Sequence, residues 1–268
     1  MKKGKIYIGT SGWHYKHWRG TFYPADIKQD EQYSYYSKHF KTVEINNSFY
    51  MLPSVKTFQD WRKASLKDFV FSVKASRFIT HMKKLDVDVE SIHTFFSHVS
   101  FLRDKKGPVL FQLPPKWKVN AERLKTFLSR LPRGYRYSFE FRNPTWYDEK
   151  VYKLLEKYNC AFCIYELEFH QSPIEVTADF VYIRLHGPGH KYQGSYSDEV
   201  LKKWARLCLR WQKQGKDVFV YFDNDQAGYA AFNAKKLMEL TKTTPLVKSP
   251  LNKNSKKGSK LKISVINK

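Results

Sequence analysis

Eight short apolar segments recur along the chain, and in most of them apolar residues alternate with polar ones. Side chains on a β-strand alternate between its two faces, so such a segment places its polar residues on one side. The clearest case is the segment 180–186, in which aliphatic residues alternate with Tyr182, Arg184 and His186. The predicted strands are Ile6–Thr10, Thr42–Asn46, Phe69–Ser76, Pro108–Leu113, Tyr135–Arg142, Cys160–Glu166, Phe180–His186 and Asp217–Asp223.

Helical patterns lie between most of these strands. The segment 200–211 carries an apolar stripe at helical spacing, with Ser197 as its predicted N-cap and Gly215 as its stop. Regular alternation of strand and helix predicts a parallel sheet. Eight such units favour a closed (β/α)8 TIM-type barrel over an open doubly wound sheet, which would normally show a glycine-rich fingerprint after its first strand.

The weakest unit lies between Glu166 and Phe180, where Pro173 interrupts the chain and no helical stripe is present. We therefore expect the sixth helix to be short or missing. We predict one barrel domain over residues 1–240. A flexible, disordered, Lys-rich tail is predicted over residues 241–268, because polar residues and lysine dominate there.

The formal net charge of +23 is extreme. Residues 241–268 contain eight lysines and no acidic residue, and removing them leaves 1–240 at roughly +15. Such charge favours binding to polyanions such as nucleic acid, and a solvated basic surface is the equally simple alternative.

Cysteine use and hydropathy indicate a cytoplasmic protein. Cys160, Cys163 and Cys208 are too few for a disulfide framework, and Cys160 and Cys163 should face opposite sides of one strand. No apolar stretch approaches the length that spans a bilayer, and the N-terminus lacks a signal-peptide core, so no membrane association is expected.

The inward face of the predicted barrel carries many polar residues near the carboxyl ends of its strands, where barrel enzymes place their active sites. An internal salt-bridge network is the structural alternative. Acid–base chemistry is predicted for Glu44, Glu140, His186 and Asp223, and phosphate or anion binding for Lys74, Arg142 and Arg184. The residues predicted to line the ligand are Ser11, Trp13, Asn46, Gln112, Tyr221 and Asn224.

A divalent metal is a candidate cofactor. Its candidate ligands are Glu44, His81, Glu140, His186 and Asp223, although no recognised metal-binding spacing is present. Trp13 and its aromatic neighbours in the first loop would stack on bases or sugars, or else wall the barrel mouth.

Several ordered motifs resemble the YecE-like family, known as domain of unknown function 72, over roughly residues 5–240. They include Ile8-Gly9-Thr10-Ser11-Gly12-Trp13, Thr42-Val43-Glu44-Ile45-Asn46, Phe139-Glu140-Phe141-Arg142, Val181-Tyr182-Ile183-Arg184-Leu185-His186-Gly187 and Tyr221-Phe222-Asp223-Asn224-Asp225. The resemblance implies a TIM-type barrel and little about activity. Its likeness to barrels of apurinic endonucleases and sugar isomerases is an analogy of fold alone.

Three functional hypotheses follow. The first is an enzyme acting on a phosphate-bearing ligand such as nucleic acid, in its boldest version a metal-dependent phosphodiesterase. The second is a non-catalytic nucleic-acid-binding protein that uses the basic tail and the aromatic mouth. The third is a binder or enzyme of a small anionic metabolite, such as a sugar phosphate.

Overall fold

The computed structural model describes residues 2–243. Its strands are β1 (Ile6–Thr10), β2 (Thr42–Ile45), β3 (Val70–Lys74), β4 (Lys106–Leu113), β5 (Tyr137–Phe141), β6 (Ala161–Leu167), β7 (His170–Gln171), β8 (Phe180–Leu185) and β9 (Asp217–Phe222). Its helices are α1 (Gln32–His39), α2 (Val55–Ala64), α3 (Val89–Val99), α4 (Ala121–Arg130), α5 (Glu149–Lys157), α6 (Asp198–Lys213) and α7 (Tyr229–Thr243).

Eight parallel strands form the sheet in the order β1-β9-β8-β6-β5-β4-β3-β2, which confirms the predicted barrel. Helices cover its outside, and apolar residues such as Val181, Ile183 and Val220 fill the space between strands and helices. Their alternation along β8 and β9 is the pattern that predicts outward-facing apolar rows. Ser197 caps α6 as expected, accepting a hydrogen bond from the Val200 amide.

The barrel closes between β1 and β2 through a narrow seam. A single parallel bridge joins Ser11 to Glu44. Before it, the Tyr36 hydroxyl accepts from the Thr10 amide and donates to the Thr42 carbonyl, both at 3.0 Å. This side chain thus replaces a missing backbone bond, because the two backbones are not paired directly there.

The sixth helix is missing from the described chain, as the sequence predicts. β6 instead turns back into the two-residue strand β7, which pairs antiparallel with it, and the chain then passes directly to β8. Pro173 lies in this connection, outside any helix.

The inside of the barrel is layered. Toward the amino ends of the strands, Tyr7 stacks on Phe219 with ring centroids 4.8 Å apart. Above them the Tyr221 hydroxyl lies 2.7 Å from the hydroxyls of both Thr42 and Ser72. The charged residues form the next layer, at the carboxyl ends of the strands.

The predicted boundary between the barrel and the tail moves by three residues in the structure. α7 continues through Thr243, so residues 241–243 are helical although the sequence places them in the tail. The remainder of the predicted flexible tail, residues 244–268, lies outside the described residues. None of the helices in residues 2–243 has both the length and the apolar character needed to cross a membrane.

Candidate functional site

Arg184 occupies the centre of the charged layer. Its Nη2 donates to Glu44 Oε1 at 2.8 Å and to Asp223 Oδ2 at 3.2 Å, and its Nη1 donates to Glu140 Oε2 at 2.9 Å. The side chain is only 1% exposed. Burial alone would lower the pKa of Arg184, but the Glu44 and Glu140 carboxylates hold it well above its usual value. One buried guanidinium therefore joins carboxylates from β2, β5 and the end of β9.

Glu44 has both carboxylate oxygens engaged. Oε1 accepts from Ser11 at 2.8 Å and from Arg184 Nε at 3.1 Å, and Oε2 accepts from the Tyr182 hydroxyl at 2.7 Å. The residue is fully buried. Such a carboxylate is held by its neighbours and presents no surface to a ligand.

Glu140 is bound by two arginines. Its Oε1 accepts from Arg142 Nε and its Oε2 accepts from Arg184, while the Cys163 thiol lies 3.8 Å from Oε2. Burial alone would raise the pKa of Glu140, but Arg142 and Arg184 hold it well below its usual value. Glu140 is therefore ionised at neutral pH and acts as a fixed counter-ion.

His186 is held in its neutral form. Arg142 Nη2 and Arg184 Nη1 approach its Nε2 at 3.1 and 3.4 Å, and because both are donors, Nε2 must accept. The proton then lies on Nδ1, which is 3.0 Å from Asp223 Oδ2 but lacks hydrogen-bond geometry. Burial, followed by the charges of Arg184 and Arg142, lowers the pKa of His186 well below its usual value.

Asp223 is the most accessible carboxylate of the three that contact Arg184. Its side chain is 16% exposed. Oδ2 contacts Arg184 and His186, whereas Oδ1 makes no hydrogen bond within residues 2–243. Burial raises the pKa of Asp223, and the Arg184 and Lys74 charges only partly oppose this. It is thus the group of this layer best suited to exchange a proton with a bound molecule.

Lys74 ends β3 and has no ionic partner within the described chain. No carboxylate of residues 2–243 lies within 4.0 Å of its Nζ, which instead lies 4.4 Å from the centroid of the Phe49 ring. Burial, and secondarily the Arg184 charge, lowers the pKa of Lys74 to about 8. Lys74 therefore differs from both arginines, whose charges are neutralised by acids.

The predicted metal ligands do not form a metal site. Within residues 2–243 no group of three or more His, Cys, Asp and Glu side chains is arranged to hold a metal ion. Arg184 lies where Glu44, Glu140 and Asp223 converge, so its cation already occupies the position that a metal would need. His81, in the short π-helix Phe78–Met82 after β3, places Nδ1 2.9 Å from the Thr80 hydroxyl. Burial together with the Lys74 charge lowers its pKa to about 4.

The residues predicted to line a ligand divide into two groups. Asn46 and Gln112 are half-buried at the ends of β2 and β4, and Asn46 Oδ1 is buried without a hydrogen bond from the described chain. Ser11 belongs to the same layer but is occupied with Glu44.

The second group lies away from the mouth, because each side chain has structural partners elsewhere. Trp13 packs edge-on against Tyr33 of α1 and Trp61 of α2. Tyr221 belongs to the layer below, and Asn224 donates to the Gly194 carbonyl and to Asn233 of α7, both at 2.8 Å.

Three residues at this end of the barrel are absent from the predicted site. Tyr182 orients Glu44, and its position two residues before Arg184 on one strand face could have indicated this. Phe49 lies under Lys74 Nζ, and Tyr192 meets the His186 ring edge-on at 5.6 Å. Both lie in the connections between strands, where strand alternation gives no signal.

Comparison with known proteins supports the resemblance noted in the sequence. The model of a family described as protein of unknown function DUF72 matches residues 7–256. The chain is 26% identical to the UPF0759 protein YunF of Bacillus subtilis, over 88% of this chain and 94% of YunF. It is 29% identical to the UPF0759 protein YecE of Escherichia coli K12, over 53% of this chain and 50% of YecE.

Solved structures agree with the barrel. The crystal structure of a DUF72 family protein from Thermotoga maritima has a TM-score of 0.81 and 27% identity, covering 89% of this chain and 99% of that one. A DUF72 family protein from Enterococcus faecalis has a TM-score of 0.77 at 18% identity, covering 92% of this chain and 100% of that one, which shows the fold alone. Since the family model spans the whole barrel with its charged layer, the chain belongs to the DUF72 family.

Proposed function

We propose that the carboxyl end of the barrel binds a small ligand that carries a phosphate or carboxylate group. The observation behind this proposal is Lys74, a half-buried ammonium group with no carboxylate of the described chain within 4.0 Å. A charge that is partly removed from water without a partner is costly, so a bound anion would stabilise it. This favours the small-metabolite hypothesis over the others.

The charged layer around Lys74 supports the same ligand class. The acids Glu44 and Glu140 are fully buried and paired with arginines, and neither forms an ion pair with Lys74. Arg142 is 9% exposed and uses Nε and Nη2 within the layer, while its Nη1 makes no hydrogen bond in residues 2–243. Lys74 and Arg142 would therefore supply the donors to the anion.

Asp223 is the residue to which this proposal assigns proton transfer. It combines a raised pKa with partial exposure and an unbonded Oδ1. Glu44, Glu140 and His186 would then orient Arg184 and Asp223 rather than react themselves. We place proton transfer to or from the ligand at Asp223 Oδ1.

Replacing Lys74 with Met is expected to weaken binding of inorganic phosphate and of pyruvate by about tenfold or more, because a charge-assisted hydrogen bond is removed. Isothermal titration calorimetry measures this. The matched control is Lys213→Met, which removes an exposed charge from the last turn of α6. Equal affinities of the Lys74→Met variant and the unaltered protein would contradict the proposal.

Nucleic acid is a second candidate ligand, favoured by the net charge of +23. The first loop adds little to nucleic-acid binding, because Trp18 is fully buried beside Tyr15 and Trp13 packs against helices. Binding would therefore depend mainly on electrostatic attraction to the phosphates.

Ending the chain at Thr243 is expected to reduce the salt dependence of oligonucleotide binding. Each phosphate that the tail no longer neutralises should lower the slope of log K against log salt by about 0.7 for a single strand. Fluorescence anisotropy over a series of salt concentrations measures the slope, and a full-length variant with Gln at every tail lysine controls for chain length. An unchanged slope would exclude the tail from binding.

A further inference from the structure

We propose that the Nζ amine of Lys74 forms a covalent imine with a carbonyl group of the anionic ligand. This rests on the proposed function and narrows its substrate class to carbonyl compounds that carry a carboxylate or phosphate group. Lys74 would then be a nucleophile as well as a positive charge.

The amine is held in a defined place. The backbone of Lys74 is fixed by the Ser48 hydroxyl, which donates to the Lys74 carbonyl at 2.6 Å, and by the parallel ladder of β3. The next residue after Ser48 is Phe49, whose ring lies 4.4 Å from Nζ. A lysine fixed at the end of a barrel strand presents its amine to the barrel mouth, where a ligand enters.

The surroundings of Nζ favour the neutral amine that imine formation requires. No acceptor in residues 2–243 hydrogen-bonds to Nζ, and the buried charge of Arg184 acts on it. Burial and that charge lower the pKa of Lys74 to about 8, so the neutral form is well populated in mildly alkaline solution. Lysines become nucleophilic by desolvation and by neighbouring cations.

Other residues at the barrel mouth indicate which group the ligand carries besides its carbonyl. Arg142 Nη1 is the second donor without a protein partner in residues 2–243, so it would take the anionic group while the carbonyl carbon faces Lys74. His81, close enough for the charges of both Lys74 and Arg142 to lower its pKa, is neutral and would not compete for the anion. A 2-oxo acid or a phosphorylated ketone has the required pair of groups.

The step balances without any other reactant. The amine nitrogen forms a bond to the carbonyl carbon, giving a carbinolamine. The carbonyl oxygen then leaves with the two amine protons as water, and a carbon–nitrogen double bond remains. Cyanoborohydride reduces this bond to a stable secondary amine.

The test incubates the full-length protein with cyanoborohydride and either pyruvate or dihydroxyacetone phosphate. Peptide mapping by mass spectrometry should find Lys74 labelled at least about tenfold more than exposed Lys213, because the lowered pKa of Lys74 leaves much of its amine neutral near pH 8. The adduct should have the mass of the probe less one oxygen atom. The probe that labels Lys74 faster identifies carboxylate or phosphate as the preferred anion.

Two variants and a separate binding measurement distinguish this inference from the proposed function. Lys74→Arg and Lys74→Met both lack the primary amine and should lose the label, while calorimetry on the unaltered protein measures binding independently of the imine. If the unaltered protein binds both probes without labelling Lys74, the imine is excluded and the anion pocket stands. If neither probe binds nor labels, both proposals fail.

Discussion

Replacing Arg184 with Met is expected to lower the free energy of unfolding by about 3–5 kcal/mol. The substitution keeps most of the side-chain volume but leaves Glu44 and Glu140, both fully buried, without their shared cation. An uncompensated charge in a dry interior is far more costly than the loss of a surface ion pair. Urea unfolding followed by circular dichroism measures the change.

The pH dependence of the same variant provides a second test. In the unaltered protein the pKa of Glu140 is held well below its usual value, so its stabilising effect is present above the unfolded pKa and is lost as the pH falls toward the folded value. Without Arg184 the pKa of Glu140 should rise, because burial is then opposed mainly by Arg142. The difference in stability between the two proteins should then shrink as the pH is lowered below about 5.

An exposed ion pair supplies the control. Arg62→Met removes the partner of Asp104 on the surface, where the two side chains are 35% and 61% exposed, and should leave the unfolding free energy almost unchanged. If Arg184→Met lowered the free energy of unfolding as little as Arg62→Met, the charged layer would not be the dry, mutually dependent network that its hydrogen bonds and ion pairs indicate.

Replacing Gly9 with Ala is expected to lower the free energy of unfolding by about 3 kcal/mol, because it opens the seam that closes the barrel. A Cβ at Gly9 would lie 2.3 Å from the Thr42 carbonyl oxygen and 3.1 Å from the Tyr36 hydroxyl. The first of these atoms belongs to the backbone, which cannot turn aside as a flexible side chain can. β1 would have to move away from β2, and the Tyr36 hydroxyl would lose its bridging position.

Gly189→Ala is the matched control for this change. It makes the same substitution in the loop between β8 and α6, where a Cβ would meet no atom within 4 Å. Both variants are compared by thermal and urea unfolding. Equal stability of the Gly9→Ala and Gly189→Ala variants would show that the seam tolerates separation of its two strands.

Most of the barrel could be predicted from the sequence, because alternation of faces and alternation of strand with helix are local patterns. β6 is a strand for which this reasoning does not identify the inner face. Both faces of the strand carry apolar residues, so the pattern does not say which face is inside. Glu166 faces Tyr196 and Trp204 of the outer layer, and Cys163 lies beside Glu140 within the barrel. The two cysteines of this segment lie in different cores, as predicted.

The members of the charged layer could also be predicted, but not their pairing. Glu44, Glu140, Arg184, His186 and Asp223 do converge. Arg184 contacts three carboxylates, whereas Lys74 contacts none within residues 2–243. This difference depends on how far each side chain reaches across the barrel, which strand order alone does not determine. Tyr36 could not be predicted at the seam for a similar reason, because it belongs to α1 and its hydroxyl forms hydrogen bonds with the backbones of β1 and β2.

The layered interior limits how molecules and protons can reach the charged residues. Below Arg184 the barrel is filled by buried aromatic rings, including Tyr182, Tyr221 and Phe219. No water-sized passage is expected through so densely filled a layer. A ligand and exchanging protons would then share a single entrance, so one tightly held molecule at the mouth would also shield the charged residues beneath it from solvent.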